Sequence, residues 1–274
     1  MKRLEAVNYA KSRLSGLRDC KAEAEWLVAL VIKGKRSDIY ADKELSSEEQ
    51  KMFLFALNER EKGVPLAYIF HSAEFYGIEF EVNNSVLIPR PETEELVSLA
   101  LKHIGIHESV LDMGTGSGAI AIAVAKNSSA RVTAVDISKE AIKMAKHNAV
   151  TNNAKVEFII SDLFEKLDGR KFDYIISNPP YIDKKEYDEL DKLVKDNEPK
   201  IALYGGEDGL YYYRKIVEEA PKYLNRGGKI FFEIGYNQAD AVSKFLEKDF
   251  YDIKVQKDLE GQERIVYASL KDRR

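Results

Sequence analysis

The sequence predicts an α/β protein in which a small N-terminal helical domain and a β-hairpin linker precede a doubly wound, mostly parallel sheet. Apolar residues recur at helical spacing through the first part of the chain and alternate at strand spacing between residues 73 and 88. After Pro91, short apolar runs of strand length alternate with helical stretches, as in doubly wound sheets. We therefore expect a helical domain at residues 1–70, a hairpin linker at 71–88 and an α/β domain at 89–274.

Three helices are predicted in the N-terminal domain. The first carries apolar residues at helical spacing from Leu4 onward, and the second covers residues 20–32. The third begins at a capping box, because Ser46 and Glu49 have the spacing at which each side chain satisfies a backbone N–H of the other. No catalytic group stands out in these helices, so we interpret them as a packing or recognition module.

The linker is predicted to be a β-hairpin. The run from Phe75 to Val82 alternates apolar and polar residues, and Gly77 and the Asn83–Asn84 pair are typical turn residues.

The C-terminal domain alternates strand and helix candidates along the chain. The predicted strands are Val110–Met113, Val132–Val135, Val156–Ile160, Tyr174–Ile176, Ile230–Ile234 and Ile265–Ala268. The predicted helices include Ala119–Lys126, Lys139–Val150 and Tyr211–Leu224. In such a sheet, a ligand binds at the carboxyl ends of the strands.

Composition excludes several classes of protein. The 274 residues carry 42 Lys and Arg against 46 Asp and Glu, and the net charge of -4 gives no general attraction to nucleic acid. The N-terminus has no signal-peptide pattern and no apolar run is long enough to span a bilayer, so we expect a cytoplasmic protein without membrane contact. The single cysteine, Cys20, cannot supply a thiolate cluster, and we predict no metal site.

A glycine-rich loop is the first candidate site. Gly114, Thr115, Gly116, Ser117 and Gly118 follow a predicted strand and open a predicted helix. Glycines let a ligand lie against the backbone, and the free N–H groups at a helix start favour an anionic group. The spacing G-x-G-x-G differs from the dinucleotide fingerprint G-x-G-x-x-G, and it suits a cofactor whose anionic group is a small carboxylate.

Polar residues at the next two strand ends extend this site. Asp136 ends the second strand of the domain, where a carboxylate can accept hydrogen bonds from both hydroxyls of a ribose. Asp162 follows the third strand and is placed to accept from an adenine amino group, and Leu163 beside it could line the ring. Either aspartate alone is an ordinary strand end, but with the glycine loop they predict a nucleoside site.

The fourth strand is followed by the candidate catalytic loop, Asn178, Pro179, Pro180 and Tyr181. The prolines stiffen the loop and remove N–H donors, so that the Asn178 side-chain oxygen and the Pro179 carbonyl are two acceptors for an NH2 group. This arrangement would orient a weak nitrogen nucleophile toward an electrophilic methyl group, and the Tyr181 ring would wall the pocket. Enzymes that methylate exocyclic amines of nucleic-acid bases also use such a loop, so the substrate stays open at this point.

Further segments resemble one family. Residues 65–69 (PLAYI), 87–94 (LIPRPETE) and 205–210 (GGEDGL), together with Glu198–Pro199, are similar to segments of the HemK/PrmC family of release-factor glutamine methyltransferases. The resemblance runs from about Val64 to the C-terminus.

The resemblance implies a class I (Rossmann-like) methyltransferase domain with a seven-stranded sheet that uses S-adenosylmethionine. It implies methylation of the side-chain nitrogen (N5) of the glutamine in the Gly-Gly-Gln motif of peptide chain release factors. The glycine-loop residues and Asp136 would then hold the cofactor, and residues 178–181 would form the glutamine pocket, with Asn178 also against the cofactor. Residues 88–94 would run beside both ligands, or else form a linker whose Arg90 pairs with a nearby acid.

Two residues depart from the family pattern. His71 stands where the family usually has glycine, and Leu163 stands where many members carry an aromatic residue against adenine. The first departure concerns the approach to the hairpin and the second concerns adenine stacking.

Three alternatives stay open beside the release-factor substrate. They are an exocyclic amine of RNA or DNA, a glutamine of a ribosomal protein, and a non-catalytic nucleoside-binding or scaffold function. The acidic charge balance argues against stable binding of nucleic acid, and the complete Asn-Pro-Pro-Tyr loop argues against a non-catalytic function.

Overall fold

A computed structural model describes residues 1–17 and 19–272 of the chain. The chain divides into two compact units, of which the first comprises Met1–His71 and Lys192–Asn197, and the second comprises Ser72–Asp191 and Glu198–Arg274. The sequence predicts residues 192–197 as part of the domain at 89–274, whereas the structure groups them with the N-terminal residues. The proposed boundary at residues 70 and 71 lies next to the division at His71.

The first unit is helical. Its helices in chain order are α1 (Arg3–Arg13), α2 (Cys20–Val31), a 3-10 helix (Arg36–Tyr40), α3 (Ser47–Glu61) and α4 (Leu66–Ile69). Its core includes Val7, Leu27, Phe53 and Leu57, all buried. The predicted capping box is present, because the Ser46 hydroxyl accepts from the Glu49 N–H at 3.2 Å and the Glu49 carboxylate accepts from the Ser46 N–H at 2.7 Å.

The hairpin consists of β1 (Ser72–Phe75) and β2 (Ile78–Glu81), paired antiparallel around a turn at Tyr76 and Gly77. Phe75, Ile78 and Phe80 are buried, in agreement with the predicted alternation. His71, just before β1, is exposed and has a positive φ of 53°.

A seven-stranded sheet forms the centre of the second unit, as far as its residues are described. Its strands are β3 (Ser109–Met113), β4 (Arg131–Asp136), β5 (Val156–Ile160), β6 (Phe172–Ser177), β7 (Leu224–Glu233), β8 (Phe250–Lys257) and β9 (Glu263–Leu270). The order is β5-β4-β3-β6-β7-β9-β8, and only β9 and β8 join through antiparallel pairs. The chain order reverses between β3 and β6, which is where doubly wound sheets bind ligands.

Helices connect these strands. They are α5 (Pro91–Leu101), α6 (Ala119–Asn127), α7 (Lys139–Thr151), α8 (Lys184–Glu189), α9 (Lys192–Lys195, which belongs to the first unit), α10 (Lys200–Leu203), α11 (Tyr211–Tyr223) and α12 (Ala239–Leu246). Helix α5 has Pro91 at its first position, where a missing N–H costs nothing. Throughout the described residues, every helix is too short or too polar to cross a bilayer.

Candidate functional site

A cavity of about 200 Å³ lies at the carboxyl ends of the parallel strands. It is bordered by the ends of β3, β4, β5 and β6, in agreement with the position predicted for a ligand. The predicted site residues that line it are Gly114, Gly116, Asp136, Asp162, Leu163, Asn178, Pro179 and Pro180. The structure therefore brings the glycine loop, both aspartates and the Asn-Pro-Pro turn together around one space.

The glycine loop leaves room for a ligand. Gly114 and Gly116 have φ values of 78° and 54°, and a Cβ atom on either would meet no other atom within 4 Å. Both glycines line the cavity, so the open space in front of them is part of it. The loop thus has the conformation and the clearance that a ligand lying against the backbone needs.

The other three residues of the loop make contacts that support it. The Thr115 hydroxyl donates to Asp112 at 2.6 Å, and the Ser117 carbonyl accepts from the Asn148 amide at 2.9 Å. Gly118 precedes the first residue of α6 and lies against Ala145 of α7. None of the three is among the cavity-lining residues in the described part of the chain.

Asp136 fastens the glycine loop to the end of β4. Its Oδ2 accepts from the Gly116 N–H and its Oδ1 from the Ser138 N–H, both at 2.9 Å. Burial raises the pKa of Asp136, and the backbone hydrogen bonds oppose that rise. Asp136 thus contacts the loop while facing the cavity.

Asp162 and Leu163 border the cavity beyond the end of β5. Asp162 is exposed, and Leu163 is half-buried with a positive φ of 43°. The Ser161 hydroxyl donates to the Leu163 carbonyl at 2.9 Å, which holds this turn.

The Asn-Pro-Pro turn is held from both sides. The Ser177 hydroxyl donates to the Met113 carbonyl at 2.8 Å and so joins the end of β6 to the end of β3. The Asn178 amide nitrogen donates to the Thr93 hydroxyl at 3.1 Å. Because this contact uses an amide N–H, the Asn178 side-chain oxygen is kept as an acceptor beside the cavity.

Tyr181 differs from the prediction that its ring walls the pocket. It is not among the residues found to line the cavity, and its side chain packs against the apolar core of the second unit. Its carbonyl accepts from the Gln238 side-chain amide at 2.9 Å, which fixes the backbone direction after the prolines. Burial raises the pKa of Tyr181 to about 12, so its hydroxyl stays protonated at neutral pH.

Asp112 is a buried carboxyl beside the site that sequence reasoning missed. It is the last residue but one of the apolar strand β3 and is 0% exposed. Its Oδ2 accepts from Thr115 and from the Ala121 N–H, whereas Oδ1 has no partner within the described residues. Burial raises its pKa to about 7, and the charge of Asp136 adds to the rise. The available signal was an acidic residue in a run of apolar ones directly before the glycine loop.

Other lining residues come from segments whose role was open. Ser85 and Leu87 lie after the hairpin, Ala202 is in α10, and Tyr211 and Tyr212 begin α11. The three consecutive tyrosines at the start of α11 were the sequence feature that could have indicated Tyr211 and Tyr212 as site residues.

Residues 88–94 do not line the cavity among the described residues. Arg90 instead forms an ion pair with the buried Glu198, in agreement with the interpretation that it pairs with an acid. The Glu94 carboxylate accepts from the Tyr76 N–H at 2.8 Å, which ties α5 to the hairpin turn.

Comparison with known proteins gives two family matches. Residues 5–70 match the PrmC N-terminal domain, and residues 93–207 match the methyltransferase small domain. Among solved structures, a methyltransferase from Pyrococcus furiosus is similar with a TM-score of 0.56 and 22% identity, over 82% of this chain and 99% of that one. A 16S rRNA N2 G1207 methyltransferase from Thermus thermophilus, solved with AdoMet and guanosine, gives a TM-score of 0.52 and 21% identity over 73% of this chain and 50% of that one. At these identities the two structures show the fold alone.

Curated relatives match along nearly the whole chain. The release factor glutamine methyltransferase of Bacillus cereus is 38% identical over 283 aligned residues, which cover 98% of this chain and 100% of the relative. The proteins of that name from Geobacter sulfurreducens and Streptococcus pneumoniae are 41% and 44% identical, over 92% and 81% of this chain and 90% and 81% of each relative. The identity is well above that of a shared fold alone and extends over both family matches, so this chain belongs to the release factor glutamine methyltransferase family.

Proposed function

We propose that this chain transfers a methyl group from S-adenosylmethionine to the N5 nitrogen of the glutamine in the Gly-Gly-Gln motif of peptide chain release factors. The observation that carries the proposal is the position of Asn178, Pro179 and Pro180 beside the open glycine loop, around one cavity. The name shared by its full-length relatives supports the choice of substrate.

The cavity fits the cofactor in three respects. The clearance at Gly114 and Gly116 admits a ligand against the backbone, and the start of α6 favours its carboxylate. Asp136 is assigned to the ribose hydroxyls, because its carboxylate has acceptor capacity beyond its two backbone hydrogen bonds. Asp162 and Leu163 are assigned to the adenine.

Thr115, Ser117 and Gly118 are assigned to holding the glycine loop in shape for the cofactor. Their contacts to Asp112, Asn148 and Ala145 support this role.

The Asn-Pro-Pro turn is assigned to the reacting amide. When bound, S-adenosylmethionine supplies a methyl group made electrophilic by its sulfonium sulfur. The Asn178 side-chain oxygen and the Pro179 carbonyl each accept one hydrogen of the glutamine NH2 group, which aims the nitrogen at that methyl group. The same two oxygens would stabilise the positive charge that grows on nitrogen as its bond to the methyl carbon replaces the bond from that carbon to sulfur. The nitrogen would then release one of its hydrogens as a proton to water, so no strong base is required.

Pro180 borders the substrate part of the cavity, and Tyr181 supports the turn from the core side. The ring packs against the apolar core, and the carbonyl is held by Gln238. Tyr181 is thus assigned to keeping the loop rigid. Release factors act in translation, so we place the reaction in the cytoplasm.

The test uses mass spectrometry of a release factor incubated with the enzyme and isotopically labelled S-adenosylmethionine. We expect one labelled methyl group on the glutamine of the Gly-Gly-Gln motif. In parallel incubations, tRNA and ribosomal RNA should stay unlabelled, and label on RNA alone would favour the exocyclic-amine alternative.

The Asn178→Ala variant tests the role of the turn. It should abolish methyl transfer and leave binding of S-adenosylmethionine nearly unchanged, because Asn178 is proposed to act mainly on the amide. Equal loss of transfer and of cofactor binding would contradict that role.

A further inference from the structure

The chain contains a buried carboxyl group next to Asn178 to which the proposed reaction gives no role. Glu233 is the last residue of β7, and Ser177 pairs with Phe232 across β6 and β7, so that Glu233 follows beside Asn178. Glu233 is 1% exposed, and its Oε2 has no hydrogen-bond partner within the part of the chain that the structure describes. Burying a carboxyl is costly unless hydrogen bonds satisfy it, so its presence here calls for an explanation.

Thr93 links this carboxyl group to the Asn-Pro-Pro turn. It lies in the first turn of α5, is 5% exposed, and accepts the hydrogen bond from the Asn178 amide nitrogen at 3.1 Å. The side chains that lower the pKa of Glu233 by hydrogen bonding are Thr93 and Asn178. Three side chains from α5, β7 and the turn thus form one small cluster, in which Thr93 and Glu233 are buried and Asn178 is half-buried.

The chemistry of these groups fixes the direction of the hydrogen bonds. An ionised carboxylate only accepts, so the Thr93 hydroxyl and the Asn178 amide, which both lower the pKa of Glu233, must present hydrogens to it. The Thr93 oxygen then has only its lone pairs to offer to Asn178, and it therefore selects the amide nitrogen over the amide oxygen. The consequence is that the Asn178 oxygen is turned away from this cluster.

We propose that Glu233 is a positioning residue, which acts on Asn178 both directly and through Thr93. It holds the Asn178 amide with its nitrogen toward Thr93 and Glu233 and its oxygen available to the glutamine NH2 group. This proposal rests on the proposed function. If the amide rotated by half a turn, it would present its own NH2 group to the NH2 group of the substrate, and an acceptor would be replaced by a donor. Glu233 does not touch the substrate in this scheme.

The proposal predicts a pH dependence, because a protonated carboxyl has a hydrogen to donate and no longer enforces one direction. Burial raises the pKa of Glu233 to about 7. The charged and titratable groups that act on it from the surrounding elements are Arg264 of β9, which lowers its pKa, and Glu92 of α5, which raises it. Tyr181 and Tyr213 also face it, and both have raised pKa values and stay neutral near pH 7. Ionisation of Glu233 should therefore increase kcat as the pH rises through about 7.

The kinetic test compares Glu233→Gln, Thr93→Val and Thr93→Ser with the wild type, using a release factor as substrate. Gln has nearly the shape of Glu but offers a donor, and Val has the shape of Thr without the hydroxyl. We expect both to lower kcat by roughly tenfold or more, as for a misplaced reacting group, with cofactor affinity within about twofold of the wild type. Thr93→Ser keeps the hydroxyl and should recover most of kcat.

The pH profile separates positioning from a merely structural role. The rise in kcat near pH 7 should vanish in Glu233→Gln and persist in a matched control, Glu218→Gln, which makes the same change on an exposed part of α11. Unchanged kcat and an unchanged profile in Glu233→Gln would overturn the proposal. If Glu233→Gln does not fold, the comparison of Thr93→Val with Thr93→Ser tests the proposal. An equal loss of kcat in these two variants would also overturn the proposal.

A measurement without substrate separates this proposal from the proposed function. The side-chain amide of Asn178 can be observed by 15N NMR and assigned from its absence in Asn178→Ala. We expect its resonances to shift with pH around 7 in the wild type and to be constant in Glu233→Gln. An Asn178 resonance that does not shift with pH in the wild type or in Glu233→Gln would contradict the positioning role, even if the release factor is methylated. If no release factor is methylated but the shift is present, the proposed substrate is wrong and the amide is still positioned as inferred.

Discussion

At the scale of single residues, Asp136 combines two tasks with one side chain. Each of its carboxylate oxygens accepts one backbone N–H, from Gly116 and from Ser138, and the group also faces the cavity. A carboxylate has about four lone-pair sites, so acceptor capacity is left for hydroxyl groups of a ligand. Its removal would therefore affect the ligand directly and the shape of the glycine loop indirectly.

We expect Asp136→Ala to weaken binding of S-adenosylmethionine by roughly 1 to 3 kcal/mol, the usual cost of losing a charged hydrogen bond. Isothermal titration calorimetry measures this change. Asp240→Ala, which removes an exposed carboxylate from α12, is the matched control and should bind as the wild type does. An affinity unchanged in Asp136→Ala would remove this residue from the cofactor site.

Individual site residues were predictable where a local pattern places them. Asp136 ends one apolar strand and Asn178 follows another, and parallel strands bring their carboxyl ends to one edge. Thr93 and Glu233 were not predictable, because their contacts depend on the register of β7 against β6 and on the placement of α5. The direction of the backbone at Tyr181 depends on Gln238, a residue 57 positions away along the chain.

At the scale of elements, the segment after α10 is pressed against the Asn-Pro-Pro turn. The Gly205 N–H donates to the Ile182 carbonyl at 2.9 Å, and the Ile182 N–H donates to the Leu203 carbonyl at 3.0 Å. A Cβ atom at Gly205 would lie 2.6 Å from the Pro180 oxygen and 2.8 Å from the Tyr181 Cα. Only glycine allows the two segments to approach this closely.

We expect Gly205→Ala to displace the turn, because its neighbours are backbone atoms that cannot move aside separately. The kcat for methyl transfer should fall by roughly tenfold or more, since small misplacements of reacting groups have such effects. Steady-state kinetics measures the change, with circular dichroism to check the fold. Gly16→Ala is the control, because a Cβ atom there meets nothing within 4 Å, and an equal kcat in the two variants would contradict the argument.

Most elements of the second unit were predicted, and those that were missed have physical reasons. Strand β8 lies at one edge of the sheet, and its side chains are largely exposed. Edge strands often carry charges that hide the apolar alternation, as Asp252 and Lys254 do here. Helix α5 was not predicted, because residues 88–94 were assigned to a segment beside the ligands or to a linker, whereas Pro91 begins the helix.

At the scale of the whole molecule, several acids near the cavity have raised pKa values. Burial raises the pKa of Asp112 to about 7, that of Glu233 to about 7, and that of Asp136 above its ordinary value. A carboxyl whose pKa is higher in the folded state than in the unfolded state loses its proton more readily after unfolding. Its contribution to stability is therefore largest at low pH and declines as the pH rises from the unfolded pKa to the folded pKa.

We expect the free energy of unfolding to decrease from pH 5 to pH 8 in the wild type, and to decrease by less in Asp112→Asn. Asn cannot ionise, and the difference between the two declines should be roughly 1 to 3 kcal/mol. Urea titrations at both pH values measure it. The exposed variant Asp240→Asn should decline as the wild type does, and a decline in Asp112→Asn equal to that of the wild type would show that Asp112 does not titrate in this range.

The division into units was predictable only in part. Helical periodicity marks the N-terminal residues, and the change of period marks the hairpin. Nothing in the sequence of residues 192–197 sets them apart, because they continue a polar helical stretch between the Asn-Pro-Pro turn and α10. Their membership of the first unit follows from contacts, such as the hydrogen bond from the Asn197 amide to the Gly63 carbonyl at 3.1 Å.

The discontinuity of the first unit has a practical consequence for dissecting the enzyme. Cleavage of the peptide chain at residue 71 would release an N-terminal fragment that lacks six residues of the first unit. Those residues, Lys192–Asn197, would remain on the C-terminal fragment. A shortened protein beginning at residue 72 would conversely carry those six residues without the helices to which they belong. Fragment complementation, in which the two pieces are mixed, would be required to restore both units intact.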